Sequence, residues 1–180
     1  MSIGEKIIDV ADDFEGLVEV VSNEEWKDAK RGALLEAMLK RVGHQDGWSY
    51  CMSFCEGVWR TSYEELGLNF STLSKLLNPS VMSSFNACRD AGLNLRPGVV
   101  KVGAIFFMQK GSSAFGHAGI VTGWDGKTLR TIEANTSPSA TSVAADRDGG
   151  IGTGGIWRKT RAYNFTKKEG LWLKGILNPV

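Results

Sequence analysis

The chain changes periodicity once, and that change limits its fold more than any other feature. Up to "LRPGVV" (95–100) the apolar residues recur at helical spacing. From "VGAIFFMQ" (102–109) onward they fall in short β-rich runs, "HAGIVTGW" (117–124) and "LRTIEANT" (129–136), separated by Gly, Ser and Asp. Helices gathered ahead of strands predict an α+β fold, with a helical half packed on a mainly antiparallel β-sheet. At 180 residues there is interior for one sizeable core, and neither an internal repeat nor a linker divides the chain.

Within the helical half, Ile3, Ile7, Val10, Phe14, Leu17 and Val21 lie on one face of a predicted first helix, weakened by Gly16. Ser22 with Glu25 forms a capping-box pattern that opens a second helix, carrying Trp26, Ala29, Ala33, Ala37 and Val42 and stopping at Gly43. A third helix is expected over 50–64 and a fourth over 79–91, entered at Pro79. Further strands are expected at "GGIWRKTRAY" (154–163) and "LWLKGIL" (171–177). The Gly-rich "RDGGIGTGGI" (147–156) has no following Gly-Lys-Ser/Thr and leads into a strand, so it reads as a rim loop and not a phosphate cradle.

Charge gives little reason to invoke nucleic acid or an anionic membrane: 21 basic residues balance 20 acidic ones, and only "RKTR" (158–161) masses them. Three cysteines, one of them remote from the others, suit reduced thiols better than a disulfide scaffold. "MSIGEKIIDVADDFEG" has no basic n-region and no apolar run of signal-peptide length, and no stretch is long enough to span a membrane. Synthesis in the cytoplasm without a signal peptide is therefore expected, as a monomer with no membrane partner.

Only two histidines are present. His44 falls in a connection and is expected to face solvent. His117 begins an apolar strand, where a functional role is as reasonable as a structural one. The hairpin that carries it turns at "GWDGK" (123–127), whose Asp-Gly is a strong turn signal. A two-residue turn sets His117 opposite Ala134, with Glu133 on the other face. A three-residue loop sets His117 opposite Glu133, with Asn135 on the same face. Turn chemistry allows both. Cys51 falls in the first turn of the third helix, where unpaired N–H groups and the helix dipole favour a thiolate. Cys55, one turn deeper, and Cys88 read as small buried hydrophobes. Cys51, Cys55, His44 and His117 match no familiar zinc spacing, so no metal and no cofactor is expected.

These segments together resemble the CHAP-type cysteine amidohydrolases and peptidases, a papain-like group that cuts peptidoglycan. "GWSYCMSF" is similar to their nucleophile motif, "RPGVVKVGAIFF" to the lead into their sheet, and "GHAGIVTG" to their histidine strand. "TIEANTSPS" resembles the strand that supplies acidic and amide partners, and "GGIWRKTR" their closing strand. The chain is thus read as one catalytic domain, with a helical extension over 1–43, a core over 44–163 and a C-terminal strand over 164–180.

The resemblance implies Cys51 as nucleophile, His117 as general base and acid, Glu133 as the group that orients the imidazole, and Asn135 as its assistant. Gln45, six residues before Cys51, is spaced like the oxyanion glutamine of papain-like proteases and also suits a plain loop. Trp48, Tyr50, Trp124 and Trp157 are candidates for the substrate cleft or for core packing. Tyr50 stands where the family commonly has tryptophan, and Cys55 where a Val-like residue is usual. The implied function is cleavage of a peptidoglycan amide bond, as an N-acetylmuramoyl-L-alanine amidase or an endopeptidase. A phage endolysin or exported lytic effector would act on the wall after release by a holin or export machine. An intracellular amidase on a small peptide conjugate, or a non-catalytic virion module, keeps the fold and changes the task.

Overall fold

In a computed structural model, residues 1–21, 25–138 and 154–180 are described. Four helices, α1 (Ile3–Asp12), α2 (Ala29–Arg41), α3 (Cys51–Glu65) and α4 (Val81–Asp90), accompany a short ribbon of β1 (Glu19–Val21) with β2 (Glu25–Trp26). The main sheet holds β3 (Ile105–Lys110), β4 (Gly116–Trp124), β5 (Thr128–Thr136), β6 (Gly155–Ala162) and β7 (Leu171–Leu177). Its order is β6-β5-β4-β3-β7, with every neighbouring pair antiparallel. This is the expected α+β architecture. No described helix is long and apolar enough to cross a membrane.

The helical half departs from its sequence reading at the first connection. α1 opens with a capping box, in which Ser2 Oγ accepts from Glu5 N–H and Glu5 accepts from Ser2 N–H. The helix stops at Asp12 although its apolar period continues to Val21. Gly16, at φ 76°, turns the chain onto the edge of β6. There Gly16 N–H bonds Ile156 O, Ile156 N–H bonds Leu17 O, and Glu19 N–H bonds Gly154 O. These bonds satisfy backbone groups on both segments and cover the open edge of β6. Ser22 lies outside the described residues, while Glu25 stands in β2. The cap of α2 is Asp28, whose side chain accepts from Arg31 N–H. α4 is likewise capped by Ser80, just after Pro79. Of the Gly-rich stretch 147–156, residues 147–153 lie outside the described residues.

α3 is the centre of the molecule. Every residue from Cys51 to Trp59 is buried, packed between α1, α2 and the sheet face that carries Ala118, Ile120, Ile132 and Ala134. The absence of a polar stripe over that run follows from having neighbours on all sides. Trp59 Nε1–H donates to Gly103 O at 2.8 Å, which ties the helix to the entry of β3. A smaller core on the other sheet face joins Phe106, Met108, Val121, Leu129 and Ile176. β7 pairs along the whole of β3, so the C-terminal strand is part of the same sheet.

Candidate active site

The geometry depends on the β4–β5 register, and neither predicted hairpin loop forms. Trp124 pairs with Leu129, leaving four residues between them. Asp125 Oδ1 holds the turn by accepting from the N–H groups of Lys127 (2.9 Å) and Thr128 (2.7 Å). Carried along the strands, that tip register would put His117 and Glu133 on opposite faces. A β-bulge between Val121 and Gly123 corrects it by one residue, so that Ile120 pairs with Ile132. His117 is then brought across from position 135, and Glu133 shares its face as a diagonal neighbour.

The diagonal is closed by a hydrogen bond of 2.8 Å between His117 Nε2 and Glu133 Oε2. A glycine makes room for it. A Cβ built on Gly119 would lie 2.7 Å from Glu133 Cγ, and 2.6 and 2.9 Å from two ring atoms of Phe106. Gly119→Ala therefore has to displace the glutamate stem or the Phe106 ring. The expected result is a loss of about 1–3 kcal/mol of stability and a fall in kcat/KM of roughly 100-fold as the imidazole loses its alignment. Thermal melts and kinetics on the purified variant check both. Wild-type kinetics in Gly119→Ala would show that the glutamate has room to spare.

With Nε2 committed to Glu133, Nδ1 is the nitrogen left for Cys51, whose thiol interacts with the ring. Cys51 is the first residue of α3, and Tyr50 at the N-cap makes no side-chain cap bond, so the opening amides are not claimed by a cap. Burial pushes the Cys51 thiol up, but the hydrogen bond and charge of His117, helped by the backbone N–H groups of Ala118 and Met52, leave it below its ordinary value. Burial likewise opposes the His117 imidazolium, yet its bonds to Cys51 and Glu133 push it up to about 9. Glu133 would be raised by burial and is instead held at about 2 by His117 and Arg161. The arrangement can hold a thiolate–imidazolium pair, the reactive form of a cysteine nucleophile.

Arg161 and Thr131 are the residues that sequence reasoning missed. Arg161 Nε donates to Glu133 Oε1 at 2.9 Å and Nη2 to Oε2 at 2.5 Å, while Thr131 Oγ1 donates to Oε1 at 2.6 Å. The one available signal was "RKTR", the only massed basic cluster in the chain.

The other candidates divide. Cys55 and Cys88 are fully buried, with thiols pushed up by that burial, and all three cysteines are free. Asn135 follows Glu133 at φ 57°, a left-handed conformation that Asn tolerates. Its backbone N–H lies near the buried Tyr50 hydroxyl, and no hydrogen bond joins its side chain to His117. Gln45 and Trp48 are exposed on the loop before α3, and no hydrogen bond links the Gln45 side chain to Cys51 or His117. Tyr50 is wholly buried, edge-on to Trp26. Trp157 is half-buried across from Glu133. Trp124 is a correction: it packs on Tyr163 at the hairpin end of β4, the opposite end from His117. His44 is a second, being half-buried with Nδ1 3.1 Å from Ser53 Oγ and not turned to solvent. Among the described residues no group of three or more His, Cys, Asp or Glu is arranged to hold a metal ion.

Comparison with known proteins gives one family. The model of the CHAP domain matches residues 41–135, while no curated protein matches the chain. The matched stretch is more than half the chain, opening at the last residue of α2 and closing at Asn135, so Cys51, His117 and Glu133 fall inside it and Arg161 outside. By that match and by its α+β, papain-like build, the chain belongs to the CHAP domain family of cysteine amidases and peptidases.

Proposed function

We propose that the protein is a peptidoglycan hydrolase that cuts an amide bond with Cys51 as its nucleophile. The observation that carries this reading is the buried line Cys51–His117–Glu133, in which the thiol is held below its ordinary value although burial alone would raise it. In the proposed reaction the Cys51 thiolate attacks the amide carbonyl, forming a C–S bond and a tetrahedral oxyanion. Backbone N–H groups at the start of α3 meet that charge. His117 passes the Nδ1 proton to the leaving nitrogen as the C–N bond breaks, leaving an acyl-enzyme. It then takes a proton from water, whose oxygen attacks the thioester, and the acid departs as the thiolate is restored. Glu133 keeps the imidazole in the tautomer and orientation that both transfers need. Trp48, exposed on the loop before α3, and Trp157, beside Glu133, are suited to contact substrate. The protein is proposed to act on the cell wall as a phage endolysin or an exported lytic effector.

The test is digestion of purified peptidoglycan with mass spectrometry of the released fragments. An amidase frees stem peptides from intact glycan, and an endopeptidase leaves new amino termini on shortened stems. Either product, formed by the wild type and absent after its thiol is alkylated, is the expected result. Cleavage of soluble peptide amides with intact peptidoglycan left untouched would reject the wall substrate while keeping the chemistry. Absence of both activities would reject the hydrolase reading.

A further inference from the structure

We propose that Arg161 is a positioning residue for this hydrolysis, which keeps Glu133 ionised inside the fold so that the Cys51–His117 ion pair forms in a charge-neutral site. The inference rests on the proposed roles of Cys51 and His117. Glu133 is 0% exposed, His117 3% and Arg161 14%. An ion taken out of water this far costs several kcal/mol unless its charge is balanced. Thiolate, imidazolium and carboxylate sum to one negative charge. The guanidinium brings the sum to zero.

The geometry adds direction to charge. Each carboxylate oxygen accepts two donors, Oε1 from Thr131 and Arg161, and Oε2 from His117 and Arg161. A planar fork spanning both oxygens fixes the carboxylate plane, and with it the lone pair aimed at Nε2. Arg161 sits across from Leu129 in the β5–β6 register, so its side chain runs back along the sheet to reach Glu133. Other titratable groups among the described residues lie around the cluster. Cys55 lies one turn below Cys51, Tyr50 and the buried Glu19 lie on the N-terminal side of α3, and Lys159 pairs across from Thr131. Cys55 and Tyr50 are buried and held neutral by that burial. Among the described residues, Arg161 is the cation that joins the His117 imidazolium in direct contact with the carboxylate.

Loss of the guanidinium lets the Glu133 carboxyl rise toward its protonated form. A neutral partner no longer favours the imidazolium, and the thiolate loses its own counter-charge, so Cys51 ionises at higher pH. The experiment is the pH dependence of Cys51 alkylation by iodoacetamide in the full chain, read by peptide mass spectrometry that separates Cys51 from Cys55. It is run for wild type, Arg161→Met and Arg161→Lys, beside kinetics on peptidoglycan. In Arg161→Met the alkylation midpoint is expected to rise by about one pH unit or more, with kcat lowered about 100-fold and KM little changed. Arg161→Lys, which keeps the charge, should leave the midpoint in place. A folded Arg161→Met with the wild-type midpoint overturns the proposal, and so does Arg161→Lys shifted as far as the Met variant. Should Arg161→Met not fold, Arg161→Lys decides: a midpoint kept within a few tenths of a pH unit of wild type is the expected result, and one raised by about a pH unit or more overturns the proposal. Alkylation needs no substrate, so it tests Arg161 even if the wall is not what the enzyme cuts.

Discussion

Cys51→Ala is expected to abolish hydrolysis, by about 10⁴-fold or more, while the protein stays folded. Of the three thiols, the replaced one alone is held below its ordinary value. It stands at an uncapped helix start, beside an imidazole that is itself anchored by a buried carboxylate. The alanine variant loses little packing, and it no longer has to hold a thiolate away from water, so its melting temperature should stay close to wild type. Cys55→Ala should show the reverse pattern. Cys55 is fully buried one turn into α3, and burial, reinforced by the nearby Cys51 and Glu133 charges, pushes its thiol well above the ordinary range. Removing it leaves a small cavity that costs on the order of 1 kcal/mol, with activity largely kept. Kinetics and thermal melts on both variants check the contrast. Equal loss of activity in the two would mean that the sulfurs act together, and the single-nucleophile mechanism would be wrong.

How much of this was legible in the sequence depends on the range of the interaction that decides it. Local sequence pattern located α3, α4 and the five strands of the sheet, because helix and strand signals act between near neighbours along the chain. It overran α1, since the apolar period continues to Val21 while the chain turns at Gly16 to cover the β6 edge. That gain comes from residues 154–156, far away in sequence. His117 and Glu133 were legible as a pair only in parity. The parity is set by a four-residue loop and a bulge together, and the Asp-Gly signal at the tip reports on neither. Arg161 was hidden for the same reason: its face and reach follow from the β5–β6 register, which no local pattern encodes. The role of Gly119 was hidden more deeply, because an absent side chain reveals its use only once Phe106 and Glu133 are seen crossing the space.

Glu133→Ala is expected to damage stability and catalysis by separable routes. Catalysis falls by about three to four powers of ten, because His117 loses the group that fixes its tautomer and favours its charged form. Stability falls by about 3–5 kcal/mol, because the variant strands the Arg161 guanidinium, only 14% exposed, without its carboxylate. The pH of the measurement matters. Glu133 is depressed from 4.5 to about 2, so the stability it contributes is present above 4.5 and is lost as pH falls through about 2. His117 is raised from 6.5 to about 9, so its contribution is complete below 6.5 and is lost as pH rises through about 9. Both are fully present between 4.5 and 6.5, and melts at about pH 5.5 therefore show the largest difference. The paired replacement Glu133→Leu with Arg161→Met removes both charges and fills their space with apolar atoms. It should recover most of the lost stability, since a buried ion pair is replaced at little net cost, yet it should recover none of the activity. A double variant as unstable as Glu133→Ala would mean that the glutamate holds the fold by something other than its charge. Recovered activity would mean that the imidazole needs no anion behind it.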